Sequence, residues 1–469
     1  MKLTGFLFAA ALLGTCTQPA AEENYTRHVD PKIGTGGHGH VFVGANVPFG
    51  LVQVGPTSIP QTWDWCSGYH ASDSTVIGFS HTHLSGTGIG DLFDVTVMPV
   101  TGEVTYARGE EADPASGLWS YADRTQEIAR PGYYSVPLTR YGIRAELTAT
   151  ARVGLHRYTF PASEKAAVVF DLENGGCWDK ATETHLAKEG DRTVTGWRRS
   201  TGWAKDQRVY FVAEFSKPFE KFETIGDNYA RASFRTTDGE QVSLKVALSP
   251  VSVEGARENL AAELPGWDFE ETAKAADKAW NAELSKVKIE TADETARRIF
   301  YTALYHTMIA PSLFCDVNGD YYGSDHAIHR NADFTNYTTF SLWDTYRAAM
   351  PLMTVLHPEK MADIVQTMLH IADEQGRLPV WHLWGNETDC MVGNPGIVAV
   401  ADAIVKGIGG FDREKAFEAI RKTAMNPDRG NGLRMEYGYI PCEMFNEAVA
   451  YDMEYALADG AAARAAETL

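Results

Sequence analysis

The chain has 469 residues, in which 62 Asp and Glu outnumber 42 Lys and Arg to give a formal net charge of −20 at pH 7. A negative field of this size repels phosphate backbones and anionic membrane surfaces, so we expect no nucleic-acid partner. The length allows roughly two to four domains with ample cores.

The first 21 residues have the layout of an export leader. Lys2 precedes the apolar run 6–13, small residues follow, and no later stretch is apolar enough to span a bilayer. Two fates stay open for the leader: lipidation at Cys16, or cleavage near Ala20. We therefore predict an exported protein that is periplasmic or held at the cell surface as a lipoprotein, with no transmembrane span.

Short segments rich in β-branched and aromatic residues, separated by Gly, Pro, Asn and Asp, occupy residues 25–262. Examples are 132–160, 166–172, 208–215 and 241–253. Short strands at regular spacing, with turn residues between them, are typical of an antiparallel sandwich. We predict that residues 25–262 form an N-terminal antiparallel β-sandwich domain.

The hydrophobic period changes from that of strands to that of helices at Pro265. Ala273, Ala276, Trp280 and Leu284 recur at three- and four-residue steps on a charged background. This pattern predicts a helical linker over residues 263–289.

Helical periodicity continues over residues 290–469, with capping residues and Gly or Pro stops between segments. The segment is long enough for about six helices with long loops, which is half of a closed helical toroid. A half toroid would expose its apolar inner face, which soluble monomers rarely tolerate. We predict a multidomain α and β protein whose residues 290–469 form part of an (α/α)6 toroid, truncated at its C-terminus.

The segment 63–94 carries the densest mixture of aromatic, imidazole, hydroxyl and carboxylate side chains in the chain. Such residues are poor core material, because each buried donor or acceptor needs a partner. Trp63 and Trp65 could cover the apolar faces of a sugar ring while His, Ser and Asp bind its hydroxyls. The alternative is a loop-rich sheet edge whose polar groups satisfy one another.

Two histidine pairs offer a metal-binding alternative. His38 and His40, and likewise His81 and His83, are two residues apart, so on a strand each pair would point to one face and could chelate a transition metal. Spacing supplies no third ligand. A zinc hydrolase built on these four histidines stays open beside hydrogen bonding to substrate or to neighbouring loops.

Two motifs in the helical region combine tryptophan with carboxylates. Asp344 lies in Ser-Leu-Trp-Asp-Thr-Tyr-Arg at the start of a predicted helix, where it could cap backbone amides or point into a cavity. Glu387 lies in the loop 378–388 after a helix stop, and could equally be a salt-bridged loop residue. Functional residues concentrate on loops of a rigid scaffold, so both carboxylates are candidate site residues.

The order of the motifs along the chain resembles that of glycoside hydrolase family 92, exported exo-α-mannosidases found mainly in bacteria. The motifs that carry the resemblance are Gly34-Thr35-Gly36, Pro48-Phe49-Gly50, Gly68-Tyr69-His70, the run from Gly78 to Gly88, the run from Ser341 to Arg347, and Gly385-Asn386-Glu387-Thr388 followed by Met391 and Gly393. The resemblance implies a β-sandwich packed against an (α/α)6 toroid, with the active site between them.

For the reaction, the resemblance implies calcium-dependent inversion of α-mannosides in mannose-containing glycans. Trp65, Cys177 and Asp344 look like family positions that line the sugar subsite, and Glu387 lies in a matching loop. With Trp63 and His83 from the aromatic segment, they make up the predicted substrate-binding set. The calcium ligands are not assigned.

The family's acid lies in a Glu-Gly-Asn motif and its base in a Gly-Asn-Asp-Asp motif, and neither occurs in these 469 residues. We therefore expect both motifs to lie beyond Leu469. The chain should then hold only the N-terminal two-thirds of the family architecture, without catalytic activity, and with Glu387 as the best candidate acid within it. The alternative function is a carbohydrate-binding surface lipoprotein without catalysis.

Overall fold

The computed structural model describes residues 23–113, 115–175 and 177–469. The predicted leader, including Cys16, lies outside the described residues. None of the helices within these ranges is both long and apolar enough to cross a bilayer.

The N-terminal lobe consists of β-strands joined by short turns and by the longer segment 23–54. In chain order the strands are β1 (Gly55–Thr57), β2 (Thr75–Val76), β3 (Gly78–Ser80), β4 (Thr96–Thr101), β5 (Ser120–Tyr121), β6 (Ile128–Arg130), β7 (Tyr133–Leu138), β8 (Ile143–Ala149), β9 (Val153–Phe160), β10 (Ser163–Asp171), β11 (Lys180–Glu189), β12 (Thr193–Thr201), β13 (Gln207–Phe215), β14 (Lys221–Ile225), β15 (Tyr229–Thr236) and β16 (Glu240–Ser249).

Fourteen of these strands form two antiparallel sheets that pack face to face, and β2 pairs with β5 in a separate two-stranded sheet. One sheet has the order β1-β3-β4-β10-β15-β14, and the other has the order β11-β12-β13-β16-β9-β8-β7-β6. Phe170 of the first sheet stacks on Phe211 of the second with ring centroids 6.1 Å apart, and Phe234 meets Phe160 edge-on at 5.5 Å. The predicted antiparallel β-sandwich is confirmed.

Two helices follow the sandwich, α1 (Val253–Glu263) and α2 (Phe269–Leu284). Helix α1 begins after Ser252, whose hydroxyl accepts the N–H of Gly255, and it packs on the second sheet within the segment predicted as sandwich. Helix α2 buries Ala273, Ala276, Trp280 and Leu284, the face predicted from the sequence.

The C-terminal lobe is helical. Its helices are α3 (Glu294–His306), α4 (Leu342–Thr345), α5 (Ala349–Leu356), α6 (Pro358–Gln375), α7 (Pro395–Val405), α8 (Arg413–Ala424), α9 (Asn431–Tyr437) and α10 (Ala448–Thr468). Short strands in the connecting segments are β17 (Ser312–Leu313), β18 (Tyr321–Tyr322), β19 (Ile328–His329), β20 (Tyr337–Thr338), β21 (Phe340–Ser341), β22 (Trp381–Leu383) and β23 (Asn386–Glu387).

The two lobes meet along residues 306–313, which begin at the last residue of α3 and which we call the junction segment. Phe49 of the β lobe donates its N–H to the carbonyl of Met308 and accepts the N–H of Leu313, both at 2.8 Å. Beside it, the indole of Trp280 donates to the carbonyl of Asn46 at 2.7 Å. A fully buried side chain from α2 therefore supports the contact between the lobes.

Replacing Trp280 with Ala should lower the free energy of unfolding by about 3–5 kcal/mol, because it empties a large buried volume and leaves a buried carbonyl without its donor. Urea denaturation followed by circular dichroism measures the change. Trp178→Ala is the matched control, since that side chain is 40% exposed and its loss should shift stability by about 0.5 kcal/mol or less. Equal effects of the two substitutions would contradict this account of the junction.

Candidate active site

A cavity of about 270 Å³ lies between the two lobes. This volume is near the lower end, about 300 Å³, of small-molecule sites, so it suits a single sugar-sized ring. Its walls come from both lobes and consist of Ser85, Gly86, Thr87, His306, Thr307, Ala310, Pro311, Thr339, Ser341, Asp344, Thr345, Ala349, Met350 and Trp381. A larger cleft of about 450 Å³ lies where the β lobe meets α2, beside Arg157 and Glu270 and away from both motif groups.

Asp344 is the predicted site residue that lies directly in the cavity wall. It sits on the short helix α4, where the hydroxyl of Ser341 donates to its carboxylate. The next turn is held by Glu454 of α10, which accepts hydrogen bonds from Tyr346 at 2.9 Å and from Arg347 at 2.8 Å. Glu454 thus fixes the motif while the exposed Asp344 carboxylate stays at the cavity.

Trp63 and Trp65 lie in a 3₁₀ turn beside the cavity loop 85–88, but neither belongs to the cavity wall. The half-exposed Trp63 donates its indole N–H to the carbonyl of Gly88 at 2.8 Å. Trp65 donates to Asp73 at 2.7 Å and stacks on His70 with ring centroids 4.3 Å apart. The aromatic turn therefore holds the loop 85–88, which supplies one wall of the cavity, and Trp63 lies against this loop.

Cys177 packs beside the same region. A Cβ added at Gly90 would stand 2.7 Å from the Cβ of Cys177, so the glycine allows the close approach of the two chains. Burial raises the pKa of the Cys177 thiol to about 11, which keeps it neutral at pH 7. Cys177 is a neutral contact near the aromatic turn and does not belong to the cavity wall.

His83 lies in the β-lobe interior and outside the cavity wall, so its predicted role in substrate binding stays a prediction. Its Nδ1 is 2.8 Å from the carbonyl of Gln53, and its ring packs between Phe42 and Phe93. Burial lowers the pKa of His83 to about 4. Within the described residues its buried Nε2 has no hydrogen-bond partner, so only one of the two ring nitrogens replaces the water that it loses.

The four histidines of the metal hypothesis do not converge. His38 Nδ1 and His40 Nε2 lie 2.6 Å and 3.6 Å from the same oxygen of Asp64, and His40 also meets the edge of Trp63 at a centroid distance of 4.2 Å. His81 is buried against His156, with their Nε2 atoms 2.9 Å apart. Within the described residues no three metal-binding side chains that include these histidines come close enough to share an ion, so the structure does not support a zinc site built on them.

Asp94, the last residue of the segment 63–94, forms a buried ion pair. It pairs with the fully buried Arg198 at 2.7 Å, and Arg198 reaches Asp179 at 3.1 Å. Burial, partly offset by Arg198, raises the pKa of Asp179 to about 6. This buried cluster ties the segment after Cys177 to the sandwich.

Glu387 fastens the loop that carries it. One carboxylate oxygen accepts the backbone N–H of Val380 at 2.8 Å, and the other accepts those of Trp381 at 2.8 Å and Asp389 at 3.0 Å. A carboxylate saturated by donors has no proton to give to a leaving group. The geometry thus favours the loop-residue alternative over the candidate acid.

Trp381 and His306 are the two side chains with aromatic rings in the cavity wall, and neither was among the predicted site residues. Trp381 is brought in by the strand β22, and His306 by the end of α3. Burial lowers the pKa of His306 to about 4, and within the described residues its buried Nε2 has no hydrogen-bond partner. A neutral imidazole at the wall of a cavity offers one donor and one acceptor to a ligand. The motif containing Trp381 pointed to this tryptophan, but no sequence signal marked His306.

Two family models match the chain in succession. The model described as the glycosyl hydrolase family 92 N-terminal domain matches residues 28–249, and the family 92 catalytic domain matches residues 255–469. The prediction that only the N-terminal two-thirds of the architecture is present is therefore wrong, since both domains are there. The expected inactivity through truncation therefore loses its support. The same holds for the alternative of a carbohydrate-binding lipoprotein without catalysis.

Leu469, beyond which the acid and base motifs were expected, is the last residue matched by the catalytic-domain model. Its backbone N–H donates to the carbonyl of Ala465 at 3.2 Å at the end of α10, and its side chain is exposed and apart from the cavity wall. The position of the acid and base relative to Leu469 stays a prediction.

Solved structures and a curated protein agree with these matches. A family GH92 α-mannosidase from Bacteroides thetaiotaomicron, in complex with mannoimidazole, is 38% identical with a TM-score of 0.91, over 95% of this chain and 61% of that one. A family GH92 inverting mannosidase from the same organism is 28% identical with a TM-score of 0.84, over 96% and 64%. An uncharacterized secreted glycosidase of Arthroderma benhamiae is 26% identical over 91% of this chain and 56% of its own length. The chain spans less than two thirds of each.

Replacing Glu387 with Gln should lower the free energy of unfolding by about 1–3 kcal/mol, because an amide NH₂ would face a backbone donor at a buried position. Urea denaturation of both proteins measures the difference. Glu443→Gln, in an exposed loop, is the matched control and should leave stability unchanged. Unaltered stability combined with complete loss of glycoside turnover in Glu387→Gln would instead identify Glu387 as the acid.

Proposed function

Because the chain belongs to glycoside hydrolase family 92, we propose that it is a glycosidase that removes terminal α-mannosides from mannose-containing glycans. The observation that carries the proposal is the sugar-sized cavity at the meeting of the two lobes, with Asp344 in its wall. The α-mannosidase relative at 38% identity, in complex with mannoimidazole, supports the substrate class.

The proposed sugar contacts follow from the chemistry of the cavity wall. Asp344 would accept hydrogen bonds from ring hydroxyls, and Ser85, Thr87 and Thr345 would add hydroxyl partners. His306 would use its unpartnered Nε2 in the same way. Trp381 offers an apolar face to the C–H groups of the sugar. Together with the polar groups, it gives the site the same mixture of apolar and polar surface that a sugar ring has.

We propose that the reaction inverts the anomeric carbon, as the name of the relative at 28% identity states for that protein. Inversion requires a carboxylic acid at the leaving oxygen and a carboxylate that activates water, about 6.5–9.5 Å apart. Asp344 is the carboxylate that lines the cavity in the described part of the chain, and we assign it to hydroxyl binding. We assign Glu387 to holding the backbone of the loop 378–388.

Calcium is part of the proposal. The ion prefers oxygen ligands, and the cavity wall offers the Asp344 carboxylate together with the hydroxyls of Ser85, Thr87, Ser341 and Thr345. This donor chemistry fits a hard cation that is bound together with substrate. When bound, calcium would supply positive charge that holds two neighbouring sugar hydroxyls.

Two further features are proposed. The helices of the C-terminal lobe would belong to an (α/α)6 toroid, the arrangement that the family resemblance implies. The protein would be exported, to the periplasm or to the cell surface through Cys16, and the relative named a secreted glycosidase supports export.

Hydrolysis of an aryl α-mannoside by the purified chain tests the activity. Asp344→Asn should lower kcat/KM about 10- to 100-fold, because a hydrogen bond to a charged group contributes about 1.5–3 kcal/mol. Asp238→Asn, in an exposed turn of the β lobe, is the control and should match the wild type. Preference for another glycoside, or an unchanged Asp344→Asn variant, would refute the proposed substrate or site.

Removal of divalent ions with a chelator should abolish the hydrolysis of the aryl α-mannoside, and calcium added back alone should restore it. Zinc added back alone should not, because its preferred nitrogen and sulfur ligands are scarce in the cavity wall. Initial rates at matched ion concentrations provide the measurement. Full activity in the chelated protein would remove calcium from the proposal.

A further inference from the structure

We propose that Asp325, His329 and Glu374 form a binding site for one zinc ion, separate from the cavity and from calcium. Asp325 lies in the turn between β18 and β19, His329 ends β19, and Glu374 lies in the last turn of α6. Within the described residues, these three side chains are the group of His, Cys, Asp or Glu whose ligand atoms come close enough to share an ion.

The spacing of the ligand atoms suits zinc. The Nε2 of His329 is 3.1 Å from Asp325 Oδ1 and 3.4 Å from Glu374 Oε1, and all three atoms lie within 4.8 Å of one another. Ligands bound tetrahedrally at about 2.0–2.1 Å stand roughly 3.3 Å apart. The two separations at His329 therefore match tetrahedral zinc, and the oxygens of Asp325 and Glu374, within 4.8 Å of each other, would close on the ion.

Surrounding groups hold the three ligands in place. Tyr321 stacks on the His329 ring, with centroids 4.8 Å apart and planes 9° from parallel, and its hydroxyl donates to Glu374 at 2.9 Å. The backbone N–H of Ser324 donates to the other oxygen of Glu374 at 2.7 Å. Such outer contacts orient metal ligands and are a regular part of metal sites.

Gly323 keeps the approach to the ligands open. A Cβ at this position would stand 2.7 Å from both Asp325 Oδ1 and His329 Nε2, so any other residue would displace them. The side chains of Asp325 and His329 are 36% and 34% exposed. An ion can enter from solvent, and water can complete its coordination.

Hydrogen bonding alone accounts less well for the cluster. His329 Nε2 carries at most one hydrogen, yet two carboxylates approach it from different elements. A divalent cation would offset both negative charges at once. Neutral imidazole and carboxylate oxygens are also ligands that zinc accepts.

The ion would stabilise the segment that leads into the loop 378–388. It would link the β18–β19 hairpin to the end of α6, and the chain continues from there to Trp381 and Glu387. Tyr322 of the hairpin packs on Gly385, where a Cβ would stand 2.5 Å from its ring. The expected role is therefore structural support of the loop 378–388.

Zinc titration of the full chain after chelator treatment tests the site. We expect one zinc per chain after dialysis, measured by mass spectrometry of the metal, and a rise in Tm with zinc concentration. His329→Ala and Glu374→Gln should lose both effects. His185→Ala, an exposed histidine on β11 stacked on Trp197, is the matched control and should keep them.

A second measurement does not depend on the variants folding. Cobalt bound in place of zinc to the wild-type chain should give the intense visible absorption of a tetrahedral site, which excess zinc removes. The proposal fails if the wild-type chain takes up less than one zinc, if cobalt gives a weak octahedral spectrum, or if folded His329→Ala binds zinc as the wild type does. None of these readouts uses glycosidase activity, so the proposed function can fail independently.

Discussion

The cavity depends on direct backbone hydrogen bonds between the two lobes at the junction segment. Phe49 both donates to and accepts from this segment, and the side-chain amide of Gln53 donates to the carbonyl of Ile309 at 2.9 Å. The cavity residues of the same segment are His306, Thr307, Ala310 and Pro311. Because interior hydrogen bonds are costly to leave unmade, the lobes are held in the relative position that gives the cavity its shape.

Several carboxylates in this acidic chain hold loops in place. Glu387 accepts backbone N–H groups of the loop after α6, and Glu454 binds Tyr346 and Arg347, the last two residues of the Asp344 motif. Asp94 compensates the buried charge of Arg198. Because these carboxylates hold the surrounding loops in place, the Asp344 carboxylate stays available to bind a ligand in the cavity. Different carboxylates therefore stabilise the wall and bind the ligand.

Much of the fold followed from local patterns. Period-two segments with turn residues predicted the sandwich, and the spacing of Ala273 and Trp280 predicted the buried face of α2, because periodicity reports which side of an element packs. The motif series led to the family and to Asp344. His83 and Glu387 lie outside the cavity wall, which the sequence did not indicate, because residue type shows that a side chain needs partners but does not show which atoms provide them.

By itself, the sequence determined the family, the order of a β lobe and a helical lobe, and the two motif groups that approach each other. Only the tertiary structure decided which of those side chains reach the cavity, that His306 joins them, and that Glu374 meets Asp325 and His329 across a turn and a helix end. The reason is physical: burial and hydrogen-bond partners are set by atoms distant along the chain, and local spacing carries no record of them.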